Sequence, residues 1–411
     1  MRQRRRLAVA LSLCTALGLT AAACGSDNSS SSSGGATTAA STATTAGATT
    51  TAGGATTTAA SGGGATTTAA GGGGTGTCKS GTGTVPPIQT GTADGKGKTV
   101  GLLFDVTGRG DKSFNDAAAA ALDKAKVDYG ITGQESTPTA ADGSDRPERM
   151  KAFIGSDLIV ANGFLWGDAT TTSATENPNQ KYAIIDSVVA DASGKPLPNV
   201  RSMVFGVQDA SFLVGAAAAC ASKSGKLGFI GGVENDIIKP FEAGFTAGAK
   251  QVNPKATVDV KYISQPPDTK GFNDPASGKA IAKAMYDSGI DVVFAAAGGS
   301  GKGMIEAVAE TGKKPGEVYA IGVDSDQYQT ASPDQQPYIL TSSLKRVDVA
   351  TYEAITDALN GKLTGEIKNY DLKNNGVGYA VSNKDINKYA GTLEDLKAQI
   401  IAGKITVPSK P

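Results

Sequence analysis

Histidine is absent from all 411 residues. That removes Ser-His-Asp and Cys-His catalysis and every metal site built on imidazole. Tyrosine, lysine and the carboxylates still offer acid–base chemistry, so the composition points away from an enzyme rather than closing every route to one. Net charge is missing too: 39 Lys and Arg balance 39 Asp and Glu, which leaves no basic footprint for nucleic acid. After residue 24 there is no apolar run long enough to cross a bilayer as a helix. No aromatic residue precedes Phe104, and no charge falls between Asp27 and Lys79. Nothing in the remaining pattern asks for a metal or a cofactor.

The front of the chain reads as an export signal. Arg2, Arg4, Arg5 and Arg6 form a charged start, and residues 7–19 form an apolar stretch too short to span a membrane comfortably. Ala21-Ala22-Ala23-Cys24 then resembles a bacterial lipobox, with Ala21 where Leu is usual. The expectation is a signal peptide over 1–23, lipidation at Cys24 and an extracytoplasmic protein anchored to the cell membrane through that lipid. An ordinary signal cut near Ala23 is the alternative. From 24 to 97 the chain is almost wholly Ser, Gly, Ala and Thr, and residues 53–60 and 63–70 repeat the same eight letters. Such a segment buries too little apolar surface to offset its ordering entropy, so a disordered tether is expected there. Four cysteines occur: Cys14 lies in the signal, and Cys24 would carry lipid. Cys78 and Cys220 remain; outside the cytoplasm they form a possible disulfide, or else Cys220 is a buried small residue and Cys78 is free.

Residues 98–411 alternate apolar runs with helical patterns. Strands are expected at 99–104, 158–161, 182–185, 226–230, 257–262, 291–295, 318–321 and 337–343. Helices are expected near 113–129, 209–222, 239–251, 278–288, 301–311 and 347–359. That alternation implies an α/β fold with parallel sheets covered by helices. Polar groups recur just past strand ends, where open α/β sheets bind ligands. Asp105 follows the first strand, Asp186 the third, Gly298 the run at 292–297, and Asp324 the run at 320–323. Phe114 and Asn115 close the polar loop after Asp105, and Phe241 shares a helical stripe with Phe245. Phe241 is expected in a cleft and Phe245 in the core. Asp326 competes with Asp324 as the ligand carboxylate, and Trp166 is expected as a cleft wall or as hinge packing rather than a contact.

Taken together and in order, several motifs resemble the basic-membrane-protein family of bacterial substrate-binding lipoproteins. They are Asp111-Lys112-Ser113-Phe114-Asn115, Gly163-Phe164, Tyr182-Ala183-Ile184-Ile185-Asp186, Phe241-Glu242-Ala243-Gly244-Phe245-Thr246-Ala247-Gly248, Gly298-Gly299, Gly322-Val323-Asp324 and Ser342-Ser343-Leu344-Lys345-Arg346. The resemblance implies a two-lobed type I periplasmic-binding-protein fold. Lobe one is expected at about 98–207 plus 322–346, and lobe two at about 208–321 plus 347–411. It also implies a receptor for an ABC importer with a nucleoside, purine favoured, in the interlobe cleft and permease subunits as partners. In the nucleoside-binding branch two aromatics sandwich the base, matching Phe114 and Phe241. An aspartate matching Asp186 reads the base edge, and Asp324 with Lys345 match the groups that hold the ribose. Asp105, Asn115 and Gly298 fall at further cleft positions. A sensory receptor without transport, or the same fold binding a sugar or other small metabolite, are the rival expectations.

Overall fold

The structure, a computed structural model, describes residues 78–140 and 142–411. The signal peptide, Cys24 and the tether as far as residue 77 lie outside the described residues. In chain order the larger elements begin with β1 (Thr99–Leu103), α1 (Phe114–Tyr129), β2 (Thr132–Ser136), α2 (Arg146–Lys151), β3 (Leu158–Ala161), α3 (Gly167–Glu176), β4 (Tyr182–Ile185) and β5 (Val200–Phe205). They continue with α4 (Val207–Ala221), β6 (Lys226–Val233), α5 (Lys239–Val252), β7 (Thr257–Ser264), α6 (Pro275–Asp287), β8 (Val292–Ala296), α7 (Gly301–Ala309) and β9 (Tyr319–Asp324). The last are β10 (Ile339–Lys345), α8 (Val347–Leu359), β11 (Glu366–Tyr370), β12 (Val377–Tyr379) and α9 (Ala390–Ile401).

Two six-stranded sheets result, ordered β11-β5-β4-β3-β1-β2 and β12-β10-β9-β8-β6-β7. Every pairing is parallel except β10 with β12. Central strands such as β3 and β4 are buried along their whole length, as parallel strands covered on both faces must be. The two sheets share one strand order, so β4 and β9 hold equivalent places, as do β5 and β10. The fold is therefore the expected two-lobed α/β arrangement.

The expected division of the lobes is corrected. β9 and β10 belong to the second sheet, so residues 322–346 lie in lobe two. α8 packs into the core beside α1, and β11 pairs with β5, so residues 347–370 lie in lobe one. The chain crosses between lobes three times: at Gly206, at Arg346 and over residues 371–376. Each crossing is so short that no break in the apolar pattern marks it. The tether boundary also moves. Residues 78–97 are not loose: they lie against both lobes, and a disulfide joins Cys78 to Cys220 with Cα atoms 6.0 Å apart.

Within lobe two, α4 and α5 approach until their backbones touch. A Cβ placed on Gly248 would meet the Phe212 carbonyl oxygen at 1.9 Å, and one on Gly215 would meet the Phe245 carbonyl oxygen at 2.1 Å. The glycines of the 241–248 motif are thus required by helix packing. Gly248→Ala should lower stability by about 1–3 kcal/mol, despite alanine's better helix propensity, and urea unfolding reads the change as a lower midpoint.

Candidate functional site

The loop from Asp105 to Asn115 is held by two carboxylates: Asp116, which accepts from the backbone N–H groups of Gly110 (2.7 Å) and Lys112 (2.8 Å), and Asp111. Asp111 Oδ1 accepts from the backbone N–H groups of Ser113 (2.9 Å) and Asp116 (3.1 Å), and its Oδ2 accepts from that of Asn115 (2.8 Å). It thereby satisfies the unpaired donors at the start of α1 and sets a negative charge at the helix's positive end. This fixes the two residues that follow Lys112. Ser113 points its hydroxyl across to lobe two, where Asp324 Oδ2 accepts at 2.5 Å. Phe114, the first residue of α1, is left half-buried at the edge of the interlobe space.

Asn115 has a different role from the one expected. Its Nδ2 donates to Thr107 Oγ1 (2.7 Å) and Asp111 Oδ2 (3.1 Å). Its Oδ1 accepts from the Asp105 backbone N–H (3.0 Å) and from Asn162 Nδ2 (3.0 Å). All four hydrogen-bonding positions of the amide are filled. Asn115 lines the cavity but positions Asp105 instead of offering a free polar atom.

All eight residues expected at the site border one cavity between the lobes. Asp105, Phe114, Asn115 and Asp186 come from lobe one; Phe241, Gly298, Asp324 and Lys345 come from lobe two. The cavity leaves about 70 Å³ open to the centre of a water-sized sphere, several times the roughly 10–15 Å³ that one water needs. Phe164, Ile237, Ile238 and Phe272 also line it and had not been expected there. Phe164 of lobe one meets Phe272 of lobe two edge-to-face, with ring centroids 6.4 Å apart. Phe272 lies in a short 3-10 turn after β7, where no periodic pattern announces it. Phe245 is fully buried against Phe229 and Phe294, as expected, and Phe241 packs on Phe294 while facing the cavity. Asp326 is absent from the lining and accepts from Ser382 and Gln329 instead. Trp166 stands behind the wall, donating from Nε1 to the Phe104 carbonyl at 3.0 Å.

Asp186 follows β4 and Asp324 ends β9, so the two carboxylates occupy equivalent positions in the two lobes. Both adopt left-handed backbone, each at φ 63°. Non-glycine residues in that conformation carry strain and are concentrated where a side chain must be aimed. Lys345 pairs its ammonium with Asp186 of the opposite lobe and lies 4.7 Å from the centroid of the Phe114 ring. Further bonds shut the lobes together beyond the cavity. Ser325 Oγ donates to the Ser113 carbonyl (3.0 Å), Gln327 Nε2 to the Lys112 carbonyl (3.0 Å) and Lys302 Nζ to the Gly110 carbonyl (3.1 Å).

Burial dominates the acids. It pushes Asp105 up from 3.8 to about 7, against Arg146, whose Nη2 lies 3.8 Å away, and against the Val106 N–H. Burial likewise raises Asp324 to about 6, opposed by Lys345 and the Ser113 hydroxyl. A folded-state value above the unfolded one means the native protein holds the proton more tightly. The contribution of Asp105 to stability therefore falls as pH rises from about 4 to about 7, and its full penalty is present above that window. Asp105→Asn should stabilise the protein at pH 8 and make the slope between pH 4 and 7 less negative, leaving the smaller shares of Asp324 and Asp209, both raised to about 6. Urea midpoints across pH check this.

Residues 98–410 match the family model described as ABC transporter substrate-binding protein PnrA-like, Bmp. The CD4+ T-cell-stimulating antigen of Listeria monocytogenes is 36% identical over 328 residues, covering 76% of this chain and 88% of that protein. The ABC transporter nucleoside-binding protein BmpA of Lactococcus lactis is 35% identical over 334 residues, covering 77% and 91%. Among solved structures, an ABC transporter system solute-binding protein from Aeropyrum pernix aligns with a TM-score of 0.65 at 29% identity, over 76% of this chain and 93% of that one. The family is one of solute-binding components that work outside the cytoplasm, not of enzymes. No described helix is long and apolar enough to cross a membrane. With its two lobes, its closed cleft and the match over nearly the whole described chain, this protein belongs to the PnrA-like (Bmp) family of ABC transporter substrate-binding proteins.

Proposed function

We propose that the cleft binds a nucleoside, purine favoured, and that the closed complex delivers it to ABC permease subunits. The observation that carries this reading is the placement of Phe114 and Phe241, one from each lobe, on a single cavity whose charged lining is four carboxylates and one ammonium, Lys345. Two rings from facing lobes hold a flat heterocycle by stacking, and carboxylates accept from ring N–H, amino and ribose hydroxyl groups. Asp186 then reads the base edge, and Asp324 with Lys345 takes the ribose. The ammonium pairs with Asp186 through one of its three donors, which leaves others for a ligand. Asp105 and the backbone at Gly298 complete the wall. The nucleoside-binding relative from Lactococcus lactis supports the same ligand class.

A purine nucleoside should raise the melting temperature of the protein, whereas free sugars should not. Phe114→Ala should weaken binding about 5- to 150-fold, on a stacking contribution of about 1–3 kcal/mol per base, read by titration calorimetry. A small loss for Phe114→Ala beside a large one for Asp324→Asn, with sugars stabilising, would assign the cleft to a sugar instead.

Lipidation at Cys24 and anchoring to the cell membrane belong to the same proposal, supported by the signal-like segment before that residue. Cys24→Ala should release the protein into the medium, and mass spectrometry of the wild-type amino terminus should show an acylated cysteine.

A further inference from the structure

Residues 78–97 precede the family-matched region, which starts at 98, yet they are bound to both lobes. Their first part is seated on lobe two. Cys78 is bonded to Cys220 at the end of α4. The Lys79 backbone N–H donates to Thr392 Oγ1 at 2.7 Å, and the Gly81 N–H to the Asn387 carbonyl at 2.9 Å. Gly81 and Gly83 fit so closely against Gly391 and the Tyr379 ring that neither has room for a Cβ. The last part is seated on lobe one. Ile88 and Ala93 pack on the core that contains α1 and α8. The Thr92 carbonyl accepts from Asn360 Nδ2 at 3.0 Å, and the Gly95 N–H donates to the Tyr129 carbonyl at 2.9 Å.

Between these seats the segment passes over the hinge itself. The Pro86 carbonyl accepts from Arg346 Nη1 at 2.8 Å. Arg346 is the crossing from β10 to α8, and its N–H donates to the Gly376 carbonyl of the third crossing at 2.9 Å. Val85, Pro86 and Pro87 also border a groove whose far walls are Lys112 and Asp116 of lobe one and Ser325 and Asp326 of lobe two. The segment thus lies along the seam where the lobes meet.

We infer that residues 78–97 form a strap, anchored by the disulfide, that ties the lobes across their hinge and limits how far the cleft opens. The span from Gly83 on one lobe to Ile88 on the other is five residue steps. Five steps reach at most about 3.3–3.6 Å each. Pro86 and Pro87 have fixed φ and hold Val85 extended, so the segment has little length to give. At its start the disulfide prevents it from peeling off lobe two; at its end the chain runs straight into β1 of lobe one. On this proposal, opening the cleft strains the strap or breaks its seats. A strap that favours the shut arrangement raises the closed population and slows release of whatever the cleft holds.

The test measures lobe separation in the full chain without any ligand, so it stands apart from the assignment of the nucleoside. Single-molecule FRET between dyes on Val127 and Lys255, one exposed residue in each lobe, reports the distance. The oxidised protein should give a narrow distribution. Reduction of the folded wild type, and the C78S/C220S variant, should broaden it toward larger separation. Inserting six Gly/Ser residues between Thr84 and Val85 keeps the disulfide but adds slack, and it should broaden the distribution in the same way. A disulfide that only stabilised the fold would leave the lengthened strap indistinguishable from wild type. That result overturns the proposal, as do equal distributions before and after reduction.

Discussion

Lys345 reaches from the end of β10 in one lobe to the Asp186 carboxylate in the other, and this pair governs the rest of the site. Its side chains are 4% and 10% exposed. A buried ion left without its partner is strongly destabilising, so neither group tolerates the dry interior alone. Closing the lobes buries the pair and completes it in one movement. The same ammonium lies against the ring faces of Phe114 (4.7 Å) and Phe205 (5.2 Å), which gives the charge a favourable seat while leaving the cavity walls largely apolar. Phe205 ends β5, the strand equivalent to β10, so the two strands that lead into the hinge supply both the cation and one of its rings.

Much of the cavity lining could be read in the sequence because strand ends are easy to find. Asp105, Asp186, Gly298 and Asp324 each follow a short apolar run, and a parallel sheet brings all such ends to one edge. What the sequence could not supply was partnership. Asn115 looks like a free amide until its four hydrogen bonds to Asp105, Thr107, Asp111 and Asn162 are known. Phe272 contributes to the cavity from an irregular segment, and β2 (Thr-Gly-Gln-Glu-Ser) escaped notice because an exposed edge strand needs no apolar alternation. The lobe boundaries were misplaced for a related reason. The step from β10 to α8 resembles any other strand-to-helix step, and only β11 pairing with β5 shows that the chain has changed lobes.

The motif Asp111-Lys112-Ser113-Phe114-Asn115 shows how several constraints converge on one short segment. Asp111 starts the helix, Ser113 bonds the far lobe, Phe114 faces the cavity and Asn115 braces Asp105. Lys112 takes a left-handed backbone at φ 57°, the turn that lets its neighbours on either side face different ways. The side chain of Lys112 does none of this work; its carbonyl does, by accepting from Gln327. The shape of the cavity and the interlobe contacts are thus fixed by the same few residues, so a change in one disturbs the other.

The electrostatic character of the cavity follows from a count of its walls. Asp105, Asp111, Asp186 and Asp324 face it against one cation, Lys345, and that cation is already shared with Asp186. Arg146 counters Asp105 from behind without lining the space. Burial raises Asp105 to about 7 and Asp324 to about 6, so part of this acidity is held as neutral carboxyl that can donate as well as accept. An anionic guest would enter a low-dielectric space lined by acids with no free counter-charge, a cost that contact with two aromatic rings does not offset. A neutral guest rich in N–H and O–H groups meets the opposite situation, because each donor it brings satisfies an acceptor that closure has cut off from water. Discrimination by charge is therefore a property of the shut cleft: as the lobes part, water screens the same carboxylates and the preference fades.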